Sequence, residues 1–528
     1  MKIMKRILAL SLATATIALS MAGCSTSSGS TSGSTATGAG TGTSKGSGNT
    51  VTYSLAEDYY TWDPAGQPSM ASYIARILIY DTLIESDHKG NYTPSLATKW
   101  APSNGGKDWS FELRKGVKFS NGEDFNADCV KATFERMAKD KTLAMHYLWT
   151  NLTSVEVKSD TECVFHFSVP MGAFLSEISV ASILPAKALK EKGADLFKTN
   201  PGTGAYKFVS YNPGNETVFE KNKDYWGWNG KESNVDKIIF KPISEDTTRS
   251  SGIKTGEIDI AGDIPPDQAL ALKGQSGVTV QQDPGLTMCF MSVQTSQGKV
   301  FADKNARLAL LHCINRESIV KNILGSGTAA FWPTMKGVIG FDESAAQSKK
   351  YANYDPALAK SLLSQSSYKG QQIYFMAING KVPRTKEVLQ AMQSDMTAVG
   401  FNVKLDIMEG AAFVAKRSAG NYDLGFSNIY YGNGSSLNHA NMHYTTDSAH
   451  TGFKNQQQLD LIKQASETVD LKKQDSLMRQ AFQITMEEGA PMQYMLSLDM
   501  FAVYNSKVQN LIAYPDGVMD LRRLSIKK

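Results

Sequence analysis

Trp109-Ser110-Phe111-Glu112-Leu113-Arg114-Lys115-Gly116-Val117-Lys118-Phe119-Ser120-Asn121-Gly122 is the stretch on which the fold turns. Trp109, Phe111 and Leu113 alternate with Ser110 and Glu112, the period of a half-buried strand. Lys115-Gly116 is a turn signal, and Val117-Lys118-Phe119 alternates again, so the run predicts a hairpin. Upstream, 51–55 alternates like a first strand. Downstream, Asn126 or Asp128 can cap a helix that carries Val130, Phe134 and Met137 at helical spacing. Residues 161–169 form another alternating strand, and 303–324 reads as a helix stopped at Gly325. Asp355-Pro356 opens a helix with Leu358, Leu362 and Leu363 on one face. Residues 387–399 form a helix ended by Gly400, and 401–407 a strand. Strands and helices mixed throughout argue for α/β lobes. Two extended runs, 281–293 around Asp283-Pro284-Gly285 and 494–508, suit paired crossings between lobes. No internal repeat is visible.

The N-terminus carries a targeting pattern. Lys2, Lys5 and Arg6 precede an apolar run from residue 7 to 19, too short to span a bilayer comfortably. Met21-Ala22-Gly23-Cys24 follows, with small residues before a cysteine, the pattern of a lipoprotein processing site. Residues 1–23 are therefore expected to be a signal peptide, and Cys24 to carry the lipid that anchors the chain to a membrane. Residues 24–50 are Cys24 and a stretch made almost wholly of Ser, Thr, Gly and Ala. It offers no large apolar side chain to bury, so a flexible tether is expected.

The remainder, from about residue 51 to 528, is too long for one core and calls for two large lobes or three domains. The formal charge falls from +4 to +1 once the three cations of the leader are removed. A near-neutral body gives no electrostatic case for nucleic acid. Of five cysteines, Cys24 is assigned to lipid. Cys129, Cys163, Cys289 and Cys313 contain no C-x-x-C pair, so metal-ligand spacing is absent among them. Cys129 and Cys313 fall in helical patterns, Cys163 and Cys289 in strand patterns. Buried free thiols are expected, with disulfides the alternative in an oxidising exterior.

The 109–122 run is preceded by Tyr80-Asp81-Thr82-Leu83, Pro94, Leu96-Ala97 and Trp100. It is followed by Gly202-Thr203-Gly204-Ala205-Tyr206, 222–226, Gly256-Glu257-Ile258-Asp259, 307–316 and Tyr354-Asp355-Pro356. In this order the set resembles the peptide/nickel family (family 5) of solute-binding proteins that serve bacterial ABC importers. The resemblance implies an α/β, two-lobe, hinge-bending fold of the periplasmic-binding-protein type, with an extra subdomain in the first lobe. On that pattern lobe I is 51–285 with the subdomain inserted at about 68–200, lobe II is 286–500, and 501–528 returns to lobe I. It also implies a protein that is not an enzyme and that captures a small solute on the extracytoplasmic face of the cell membrane. The expected solute is a nickel-chelator complex or a short peptide, delivered to an ABC permease and its ATPase subunits. The alternatives are a dipeptide or oligopeptide binder without metal, and a receptor or chaperone that senses a ligand in the same cleft. No resident cofactor is expected; nickel would be cargo.

Peptide-binding members of that family hold the free amine with an Asp after a strand of the second lobe. The corresponding stretch here, Tyr422-Asp423-Leu424-Gly425-Phe426-Ser427-Asn428-Ile429-Tyr430-Tyr431-Gly432-Asn433, has no acid at the expected place. From 424 to 446 there is no Asp or Glu at all. A buried ammonium without a carboxylate is costly, so this segment disfavours a free-amine peptide. Asp423 reads as the solvent-side end of the strand. Among seven histidines, His439, His443 and His450 fall within twelve residues, and imidazole suits nickel, zinc and copper. Ser448-Ala449-His450-Thr451-Gly452-Phe453 resembles the segment that supplies the single histidine ligand in nickel-binding members. That likeness implies His450 as the metal ligand, with His439 and His443 as further candidates; a polar surface loop is the plain alternative. In the same resemblance, basic residues facing the chelator would fall near Met145 and Ser182, and neither is basic. Tyr59, Tyr60 and Trp62 follow the first strand and, with Tyr430, Tyr431 and Asn433, are candidates to line the ligand cleft or simply to pack.

Enzyme signatures fail on order and context. Ser366-Ser367-Tyr368-Lys369 is an S-x-x-K, but Lys254-Thr255-Gly256 precedes it and no S-D-N intervenes. Gly325-Ser326-Gly327 follows a helix, not a strand, which rejects a dinucleotide site. H-E-x-x-H and a phosphate-binding P-loop are absent from the sequence, and the one G-x-S-x-G, Gly42-Thr43-Ser44-Lys45-Gly46, falls in the Ser/Thr/Gly-rich tether; ATP hydrolysis is therefore expected in a partner subunit.

Overall fold

The computed structural model describes residues 49–59, 61–66, 69–88, 90–446 and 451–527. The expected signal peptide and residues 24–48 of the expected tether, with Cys24, Tyr60 and His450, lie outside the described residues, whereas Asn49 and Thr50 already belong to the folded body. Among those described, no helix is long and apolar enough to cross a membrane.

One eleven-stranded mixed sheet joins the two lobes. Thr50–Leu55 pairs in parallel with Lys237–Pro242, and the sheet continues through Glu216–Lys221 to Tyr206–Asn212. On the other side Ile260–Ala261 connects Thr50–Leu55 to Met492–Asn505. Met492–Asn505 runs antiparallel to Val278–Val293, the two extended runs read from the sequence. Leu424–Tyr430, Gln372–Ile378 and Asn402–Met408 complete the sheet beyond them.

The crossing strands feed separate cores. Met500 and Ala502 join Tyr53, Ile74 and Phe240 in one. Cys289, Met291 and Leu496 join Leu310 and Phe375 in another. Between them the register slips at Pro284/Thr287. A Cβ on Gly285 would stand 2.5 Å from the carbonyl oxygen of Leu498, so only glycine lets the strands approach here. Residues 284–287 belong to neither of the two cores.

A four-stranded antiparallel sheet forms a body of its own, in the order Ala97–Ser103, Asp108–Leu113, Glu162–Phe167, Leu152–Ser159. The expected hairpin is not made. Asp108–Leu113 pairs with Ala97–Ser103 and Glu162–Phe167 instead. Val117 and Phe119 exchange backbone bonds with Phe125 and Glu123. Period 2 found both extended segments but could not choose their partners, which Trp109, Phe111, Phe165 and Phe174 fix by packing in one core.

Helix Ala127–Lys139 is capped by Asn126, whose side chain accepts from Asp128 N and Cys129 N. The helix expected over 303–324 is broken: Lys304–Cys313 stops at Ile314, and a new turn starts at Arg316. Arg316 causes the break. Its buried guanidinium donates to the carbonyls of Leu311 and Ile314, oxygens a continuous helix would use, and to those of Ala352 and Tyr494. In Pro356–Ser364 the buried face is Ala359 and Leu363, while Leu358 is exposed. Cys129, Cys163, Cys289 and Cys313 are all buried and free.

Candidate functional site

A cavity of about 630 Å³ opens between the four-stranded body and the second lobe. Its walls come from chain segments far apart in sequence: Tyr73 and Arg76, then 144–148 and 176–180, then Phe290, Arg417 and 427–443. That volume is typical of small-molecule sites.

Period 2 places the two tyrosines of the Tyr430-Tyr431 pair on opposite faces. Tyr430 lines the cavity, and its Oη donates to the carbonyl of Asp516 at 2.7 Å. Tyr431 does not line it. It is 1% exposed, donates to the carbonyl of Pro333 at 2.8 Å and lies edge-on to His439, with ring centroids 5.5 Å apart.

His439 and His443 come together on the cavity wall, one helical turn apart, with ring centroids at 4.4 Å. His439 Nε2 meets Tyr494 Oη at 3.1 Å, and Tyr444 Oη meets the same hydroxyl at 2.5 Å. His439 Nδ1 is buried without a hydrogen-bond partner among the described residues. Burial lowers the pKa of His439 well below its usual range, helped by the neighbouring His443. His443 is brought down to about 4, by burial first and by the Arg417 charge second. Both rings are therefore neutral at pH 7, the form that ligates metals. Among the described residues no group of three or more His, Cys, Asp or Glu is arranged to hold a metal ion. The backbone of Asn433 is described, but its side chain lies outside the described set.

Tyr59 and Trp62 pack elsewhere. Their rings stack at 4.3 Å and abut Tyr211, with Phe208 against Trp62, at the edge of the first-lobe core. Asp423 is likewise not solvent-facing: it is buried, pairs with Lys299 at 3.3 Å and accepts from the Tyr374 amide. Strand pairing of Leu424–Tyr430 on both sides draws its end inward.

Three charged wall residues were not singled out from the sequence. Arg76 projects from helix Met70–Ile79, whose start Ser69 caps. Its guanidinium lies over the Tyr73 ring at 5.2 Å, donates to the carbonyl of Pro64 and keeps Nε buried without a hydrogen-bond partner among the described residues. Arg417 comes from helix Gly410–Ser418. Glu177 sits on the short helix Phe174–Ile178, which Phe174 nails to the four-stranded body through contacts with Trp109, Phe165 and Phe167 at 5.0–5.3 Å. Glu177 is 7% exposed, and its Oε2 has no hydrogen-bond partner among the described residues. A sequence signal did exist: Glu177 is the lone acid in the apolar run 171–184. A larger cavity, about 1160 Å³ beside the 327–349 segment, collects none of the expected site residues.

Known proteins agree with this architecture. The glutathione-binding protein GsiB of Escherichia coli K12 is 26% identical over 455 residues, covering 83% of this chain and 87% of that protein. The Salmonella typhi GsiB is 27% identical over 370 residues, covering 69% and 71%. HbpA2 of Haemophilus parasuis superposes with a TM-score of 0.80 at 21% identity, covering 91% of this chain and all of the other. Helicobacter pylori DppA, in complex with peptide STSA, gives 0.73 at 24% identity over 91% and 98%. Campylobacter jejuni NikZ, in complex with Ni(L-His), gives 0.71 at 20% over 87% and 95%. These structural likenesses carry the two-lobe fold. A family model for the middle part of bacterial extracellular solute-binding proteins of family 5 matches residues 91–451. The chain belongs to the bacterial extracellular solute-binding proteins, family 5, binding proteins of ABC importers that are not enzymes.

Proposed function

We propose that this chain is a lipid-anchored capture protein that encloses a small peptide-like solute in the Tyr430–His443 cavity and delivers it to an ABC permease. The observation that carries the reading is a cavity walled from both sides by charged and aromatic side chains. Closing such a cleft removes water and strengthens polar contacts made inside. The difference between open and closed surfaces is what a permease can read. The similarity to glutathione-binding proteins over most of the chain favours a solute of that size and polarity. Lobe limits near 285 and 500 and a subdomain over about 68–200 suit this reading, as does lipid on Cys24.

The paired neutral imidazoles of His439 and His443 favour a second reading, a nickel chelate, with His450 as a further ligand. One experiment separates the two. Protein purified without denaturation is extracted, and the extract is examined by mass spectrometry and elemental analysis. The first reading expects one equivalent of a small organic solute without metal. Stoichiometric nickel, lost in a His450→Ala variant, would overturn it in favour of the chelate.

A further inference from the structure

Six acidic side chains are buried among the described residues. Asp259, Asp423 and Asp520 face Lys507, Lys299 and Arg522. Asp516 faces His88, and Asp81 accepts from the indole N–H of Trp226. Glu177 alone of the six has no ion pair and no hydrogen bond to its side chain, yet it is the one that lines the cleft. Buried carboxyls are paired as a rule, because an uncompensated one is expensive. An unpaired one in a ligand cleft points to a group the ligand brings.

The groups around it fit that idea. Tyr92 and Tyr147 are close enough to feel its charge, and both are neutral at pH 7. Arg76, Arg417, His439 and His443 share the cavity, but none of them lowers its pKa, which burial pushes up to about 8. The cavity thus holds two guanidiniums and one carboxyl that do not cancel one another. Resting on the cleft reading above, we propose that Glu177 receives a protonated amine of the bound solute. The cleft then selects a small zwitterion, its ammonium toward the 171–184 segment and its carboxylate toward Arg76. The acid absent from 424–446 is supplied by the opposite wall. In the empty cleft the Glu177 carboxyl keeps its proton at pH 7. When an ammonium docks, that proton leaves to solvent and the carboxylate remains paired with the ammonium.

The test uses the mature chain, stripped of solute and titrated calorimetrically with reduced glutathione and with its N-acetylated form. The wild type is expected to bind the free amine about 30-fold or more tightly than the blocked one, as for other buried charge pairs. At pH 7 it should release close to one proton, read from buffers of different ionisation enthalpy. Glu177→Gln should abolish both the preference and the proton release. Glu177→Asp should retain part of the preference, which separates loss of charge from misfolding. Equal binding of the two forms, or a preference that survives in Glu177→Gln, overturns the anchor and leaves the cleft reading standing. If neither form binds, the solute extracted from native protein decides: one without an amine overturns the anchor, and no solute at all overturns both.

Discussion

The backbone N–H of Gly172 donates to the carbonyl of Ser466 at 2.8 Å, tying the four-stranded body to the end of helix Gln456–Ser466. The side chain of Gln474 strengthens the tie by donating to the Gly172 carbonyl at 3.1 Å. Gly172 and Ser466 line a cavity of about 590 Å³ that shares Glu177 with the cleft.

A Cβ at Gly172 would stand 2.6 Å from the carbonyl oxygens of Ser466 and Thr468. Gly172→Val therefore penalises only the arrangement in which the two segments touch. Overpacking of this kind costs about 1–3 kcal/mol. Solute affinity is expected to fall about 10-fold or more through loss of this contact. Unchanged affinity in calorimetry would show that the contact plays no part in closure.

Glu177 predicts a pH dependence of stability. Its folded pKa is raised to about 8 by burial, against about 4.3 in an unfolded chain. The folded protein thus holds a proton that the unfolded chain sheds above about pH 4.3. Through this group stability is full below that pH and declines as pH rises toward 8. Glu177→Gln should flatten that decline and melt higher than wild type at pH 8, with the gap closing toward pH 4. Superimposable melting curves across that range would contradict the burial argument. A site that is stabilised by losing its functional group follows the usual trade between stability and function.

Cys24→Ser should release the protein from membranes. Fractionation of cells expressing each form checks it: wild type with the membranes, variant in the soluble fraction. Equal membrane retention would remove the lipid anchor from the account.

Much of the fold was legible because burial imposes a period. Alternation found Asp108–Leu113 and Glu162–Phe167, extended apolar runs found both crossing strands, and spacing with caps found Ala127–Lys139 and Thr385–Val399. Partnership was not legible, as Val117–Phe119 shows, since strands choose partners through distant packing. Nor was the break at Ile314, which depends on carbonyls that Arg316 reaches in Ala352 and Tyr494. In the site, the clustering of His439 and His443 was legible as sequence proximity but the helical turn that brings their rings together was not, and Tyr59 and Trp62 satisfied the aromatic signal by packing on Tyr211. Glu177 escaped because its meaning lies in what is missing around it. Its neighbours across the cavity are some 250 residues away, and only folded coordinates show that none pairs with it.

The central claim is capture by closure of the cleft, and small-angle X-ray scattering tests it most directly. Protein stripped of solute is measured before and after saturation with the solute recovered from native material. The account predicts a smaller radius of gyration on saturation, and a smaller change for Gly172→Val. A radius of gyration unchanged at saturation, with binding confirmed in the same sample, would contradict it.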